Sequence, residues 1–130
     1  MRKNKLFEKI AKENFTAWEN ALHTKNAGAV AEFYSPRSTF LPTVSPDFKK
    51  GRKGARDYFE HFLAKNPIGK IVKQAVQVLG PKIYLHSGMY NFYLGISGRR
   101  MLTAARFSFV WKMGRTGKWQ IIHHHSSVKP

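Results

Sequence analysis

The chain has no cysteine in its 130 residues and only seven Asp and Glu. The first absence excludes disulfides, thiolate zinc sites and a cysteine nucleophile together, and it leaves the redox compartment open. The second leaves few carboxylates to complete a metal shell, and with no acidic pair and no nucleophile elbow it gives glycosidase and α/β-hydrolase chemistry no support. Long apolar runs are missing as well: nothing reaches the length of a signal h-region or a membrane span. A cytoplasmic protein that neither enters a membrane nor carries a cofactor or metal is the expectation. Internal repeats and low-complexity segments are also absent.

What is abundant is positive charge, 23 Lys and Arg for a formal net charge of +16. Such an excess favours polyanions, because phosphate contacts release counterions. The basic residues are nevertheless spread from Arg2 to Lys129 without a nucleic-acid-binding signature, which suits a solubilising surface equally. At this length the expectation is one domain, residues 1–130, with a core that needs no staples.

Periodicity divides the chain into a helical part and a strand part. Lys5 to His23 places Leu6, Phe7, Ile10, Ala11, Phe15, Trp18, Ala21 and Leu22 at three- and four-residue spacing, a core-facing stripe with Glu19 among the polar residues between. Asn26 is positioned to cap a short second helix, Ala27 to Tyr34. Ser38 to Leu41 reads as a strand, Thr43 to Gly54 as a candidate lid or binding loop, and Ala55 to Lys65 as a third helix. From Lys70 onward four antiparallel strands are expected: Ile71 to Leu79, Ile83 to Leu94 with Gly88 allowing a bend, and, after a turn at Gly95 to Gly98, a hairpin spanning Ala104 to Ser127. Helices followed by strands indicate an α+β domain with helices on one face of a curved antiparallel sheet. The other face, read as aromatic too, is expected to be covered in a homodimer.

The hairpin carries the residues with the most chemistry. Ala105, Phe107, Phe109 and Trp111 alternate with Arg106, Ser108 and Val110; on the return, Trp119, Ile121, His123 and His125 are expected opposite Gln120, Ile122 and His124. Arg106 stands among small and aromatic residues, and a desolvated guanidinium needs an anion or a dense set of acceptors. It either lines a pocket with Arg56, holding a carboxylate or phosphate, or finds its partner across a dimer interface. The pleat separates His124 from His123 and His125, so the three cannot share one metal ion.

Taken in order, Trp18 with Ala21-Leu22, Val30-Ala31 with Tyr34, Leu41-Pro42-Thr43, Gly54 with Asp57-Tyr58-Phe59, Ser87-Gly88 with Tyr90 and Phe92, Ala105-Arg106-Phe107, and Gly117-Lys118-Trp119 leading to His123 through Ser127 resemble the nuclear transport factor 2-like superfamily. Within it the chain is similar to the association (hub) domain of calcium/calmodulin-dependent protein kinase II and to SnoaL- and SgcJ-like proteins. The resemblance implies a cone-shaped, cystatin-like fold of three N-terminal helices on a curved sheet, assembled through that sheet into dimers or larger oligomers. It also implies a basic pocket for a small carboxylate. Arg56 and the pair His123 and His125 match hub positions, whereas the hub's pocket arginine falls at Met89, which shifts that role to Arg106 or a lysine.

The ligand-binding set expected on these grounds is Arg106, Arg56, Tyr90, His123 and His125. An isomerase, cyclase or hydratase of the SnoaL type, acting on a small hydrophobic substrate, would use His123 or His125 as base with Tyr90 as hydrogen-bond donor. A polyanion-binding or assembly module is the third reading. Expected partners are a second copy of the chain and a small anion, with nucleic acid ranked below them.

Overall fold

Alternation in the last third of the chain builds the sheet that dominates the computed structural model, which describes residues 2–96 and 99–130. The elements run α1 (Arg2–His23), α2 (Ala27–Ala31), β1 (Tyr34–Leu41), β2 (Lys49–Lys50), α3 (Gly51–Phe62) with a following 3-10 turn at Leu63–Lys65, β3 (Ile68–Gly80), β4 (Ile83–Ile96), β5 (Arg99–Met113) and β6 (Trp119–Val128). The six strands lie in the order β2-β1-β6-β5-β4-β3. Neighbours are antiparallel except β1 and β6, which run parallel. The α+β arrangement of N-terminal helices on a curved sheet is as expected. Among the described residues no helix is long and apolar enough to cross a membrane.

The helices lie on one side of the sheet, and aromatic side chains fill the space between. Phe7, Phe15 and Trp18 of α1 meet Tyr84, Phe107, Phe109 and Phe92 from the strands, and Phe59 and Phe62 of α3 close the other flank. Rings of this size supply most of the buried apolar area and dominate the core. Two residues of α1 differ from expectation. Leu6 points to solvent, and Glu19 is buried, because Gly69 leaves room for its carboxylate and donates its N–H to Oε2 at 2.9 Å.

Several boundaries move for local reasons. The second helix stops at Ala31, Glu32 and Phe33 turn, and Tyr34 opens β1; Asn26 caps the helix start, with Oδ1 accepting from the Ala29 N–H at 3.1 Å. The stretch expected to be one loop, Thr43 to Gly54, holds β2 and the first turn of α3. Gly51 and Gly54 read as breakers there, yet α3 opens at Gly51 after the extended Lys50, with no side-chain cap. Asp57 therefore sits in the second turn of α3 and pairs with Lys53 at 3.1 Å. Of the turn expected at Gly95 to Gly98, positions 97 and 98 lie outside the described residues.

At Gly88 the backbones of β3 and β4 leave no room for a side chain. A Cβ there would collide with the Lys73 carbonyl and stand 2.8 Å from Gln74 Cα, beside the irregularity between Ile71 and Lys73. A side chain would push the two strands apart, so the sheet requires glycine at this point.

Candidate functional site

A second irregularity decides which histidine faces the helices. Val110 pairs with His123 but Trp111 pairs with Ile121, so Ile122 is an extra residue in β6, a β-bulge. The bulge resets the alternation: Ile121 and His124 both turn toward the core, while His123 and His125 share the outer face with Val110 and Ser108. The face assignment expected for the returning strand is thereby corrected from His123 onward. Strict two-residue periodicity could not register the extra residue.

His124 lies between the rings of Phe109, at 4.0 Å, and Phe40, at 4.7 Å. Its hydrogen bonds fix the tautomer. Tyr90 gives its one proton to Ser126 Oγ and can only accept from His124 Nε2, so Nδ1 accepts from the Tyr34 hydroxyl, 2.9 Å away, which in turn accepts from Trp18 Nε1 at 3.3 Å. His124 Nε2 then carries the hydrogen and faces Tyr90 Oη at 3.3 Å; Tyr90 in turn donates to Ser126 Oγ at 2.6 Å, and Ser126 meets the Thr43 hydroxyl. The protons from Trp18 through Ser126 Oγ are directed, either hydroxyl of the Ser126–Thr43 pair can donate, and no member is charged. Burial, reinforced by the neighbouring His123 and His125, holds His124 well below the ordinary imidazole range, and burial raises the Tyr34 and Tyr90 phenols.

Beside this network lies a narrow slot among Trp18, Phe40, Tyr58, Phe62, Phe92 and Leu94, entered past Thr43 and Val44. Its free space is about 20 Å³, room for about one water. Tyr58 Oη holds the entrance by donating to the Thr43 carbonyl at 3.1 Å, and Val44 stands beside it at φ 53°, a conformation costly for a β-branched residue. No Lys or Arg is among the residues that line the slot.

The five residues expected to form one ligand site are dispersed. Tyr90 alone lines the slot. Arg106 is exposed on the outer face between Met89 and Ser127, with Nη2 3.4 Å from Ser127 Oγ. It is therefore hydrated, and the desolvation expected of it is absent in the single chain. Arg56 projects from α3 and pairs with Glu60 at 3.8 Å. His123 Nδ1 bonds Thr39 Oγ1 at 2.7 Å, burial lowers its pKa, and His125 is exposed. Among the described residues no cluster of three His, Asp or Glu could hold a metal.

Sequence reasoning missed Tyr34, Thr43, His124 and Ser126 as partners. It also missed His86, which is fully buried against Phe107, bonds Gln74 Oε1 through Nε2 at 2.8 Å, and is pushed down by burial to about 4. The sequence places His86 two residues from Gly88 in an aromatic strand, and that was the available signal of an inward position.

The family model of the calcium/calmodulin dependent protein kinase II association domain matches residues 8–130. The chain belongs to this association-domain family. A candidate association domain from Xanthomonas campestris is 38% identical over 92% of this chain and 86% of its own, with a TM-score of 0.89. At lower identity the fold persists: the association domain of the Caenorhabditis elegans kinase is 15% identical over 98% of this chain and 99% of its own, TM-score 0.79. A nuclear transport factor 2-like protein from Salmonella enterica is 16% identical over 97% and 93%, TM-score 0.80. This association-domain chain thus has the nuclear transport factor 2-like fold. A search of curated proteins finds no match.

Proposed function

We propose that the protein works as a self-associating domain, in which the outer face of the sheet packs against the same face of a second copy. The observation that carries this reading is the make-up of that face. Leu85 and Met89 of β4 and Val110 of β5 are half-buried side chains with no helix over them, set among Ser87, Ser108, His123 and Ser127. An aliphatic centre with a polar surround is the anatomy of a protein interface. The face is less aromatic than the sequence suggested, because the bulky rings of β4 and β5 are turned inward. Membership of an association-domain family supports a second copy as the occupant. An isologous contact of this kind would set Arg106 and His125 at its margin, where a partner acceptor could meet the guanidinium.

The slot gives the other readings little to work with. An isomerase or cyclase needs a histidine nitrogen free toward the substrate, and His124 has both nitrogens engaged. The slot offers an anion no cation. Light scattering tests the proposal: the native chain is expected at dimer mass or above, and Val110→Lys, which buries a charge at the centre of the face, at monomer mass with unchanged circular dichroism. Equal masses for the two would contradict it.

A further inference from the structure

A basic groove lies away from both the slot and the outer-face centre, where the end of α1 meets the start of β3 and the facing ends of β4 and β5. It has a volume of about 480 Å³ and is walled by His23, Lys25, Arg99 and Arg100 over a floor that includes Pro67 and Ile68. That volume lies in the range of small-molecule sites, roughly 300–1,000 Å³. Among the described residues no acidic side chain lines it. Glu19 is buried behind it and engaged by His23 at 2.7 Å and by the Gly69 N–H, and Glu60 lines the adjoining groove beyond Lys25 and Asn66.

Arg100 is held in place, unlike an ordinary surface arginine. Its side chain lies against Gly95, where a Cβ would come within 3.2 Å of Arg100 Cγ and 3.7 Å of Cζ. Nη1 donates to the carbonyls of Asn66, at 3.2 Å, and Tyr93, at 3.1 Å. Asn66, in the left-handed region at φ 50°, is itself tied to Gly95 O through Nδ2 at 2.9 Å. Two carbonyls therefore orient the guanidinium through one nitrogen, while Nε and Nη2 make no hydrogen bond among the described residues. A planar pair of free donors matches the two oxygens of a carboxylate or phosphate.

We propose that this groove binds a small organic anion, a carboxylate or phosphate carried on an apolar body, with Arg100 as the oriented donor. The apolar floor takes the body, and Lys25 and Arg99 supply the surrounding positive potential. Because the slot contains no cation, this places anion binding at a site separate from the core cavity and independent of self-association.

Isothermal titration of the full chain with phenyl phosphate and with benzoate tests it. At least one should bind saturably, and Arg100→Gln should weaken it at least about tenfold, the expected loss for a charge-assisted pair. Gly95→Ala, which keeps every charge but displaces the arginine, should weaken binding by about threefold or more, whereas Arg115→Gln, in the β5–β6 turn, should leave it unchanged. Equal weakening by Arg115→Gln would reduce the effect to net charge and overturn the proposal. So would unaltered binding to Arg100→Gln, or saturable binding of neither probe. Thermal melts of each variant separate loss of binding from loss of fold.

Discussion

The two faces of the β5–β6 hairpin have nearly the same backbone and opposite chemistry. Inward, Ala105, Phe107, Phe109, Trp111, Ile121 and His124 are all buried; the His124 ring has both nitrogens satisfied, and among the described residues the Trp111 indole N–H alone on this face is packed without a hydrogen-bond partner. Outward, Arg106, Ser108, Val110, His123 and His125 are half or fully exposed, with little of their hydrogen-bonding capacity used. The inner face is finished, since every large side chain has its neighbours and the remaining space admits about one water. The outer face is unfinished, and a second copy would complete it. Histidines close together in sequence thus have different tasks, divided by one bulge at Ile122.

If this contrast is real, substitutions on adjacent residues should differ sharply. Phe109→Ala should cost about 3–5 kcal/mol of stability, the usual range for removing a buried aromatic ring. Ser108→Ala, one residue away on the outer face, should stay within about 0.5 kcal/mol. Urea denaturation of the two variants gives the comparison directly.

Acidity should break the inner face first. His86 and His124 are buried neutral, so the unfolded chain, with imidazoles near 6.5, binds protons that the folded chain refuses. Their contribution is complete above pH 6.5 and is lost as pH falls toward the folded values. For His86, from 6.5 down to about 4, this amounts to roughly 3 kcal/mol. Glu19, raised chiefly by burial, acts with the opposite sign and offsets part of the loss. Denaturation midpoints at pH 7.5, 6 and 4.5 should fall in that order, and His86→Phe should flatten the dependence.

A smaller effect sharpens the account of the network. Tyr34→Phe removes the donor to His124 Nδ1 and leaves the Trp18 N–H without its acceptor, at a cost of about 1–3 kcal/mol. Nitrogen NMR of the native protein should show His124 as the Nε2–H tautomer, and the variant should shift the Nδ1 resonance.

The layered architecture was legible because the aromatic periodicity of α1, β4 and β5 is strong and uninterrupted. Family resemblance carried the rest of the fold. The site was less legible for two physical reasons. A bulge is invisible to a two-residue pattern, so His123 and His125 were grouped with Ile121 and His124 was set on the opposite face. Arg106 was read as desolvated because its sequence neighbours are apolar, yet those neighbours turn inward and leave the guanidinium in solvent. Arg100, which a run of two arginines at a turn made look like ordinary surface charge, depends for its orientation on Gly95 and Asn66, neither adjacent to it in sequence.

Since the chain contains no cysteine, a single engineered thiol reports on the outer face without background. The rate at which a maleimide labels Ser108→Cys should rise at least about tenfold when Val110→Lys is added, because dissociation uncovers the sheet, while labelling of Arg115→Cys in the turn stays the same in both backgrounds. Equal rates at Ser108→Cys with and without Val110→Lys would mean that nothing covers this face in solution, and the division of the hairpin into a finished and an unfinished side would be wrong.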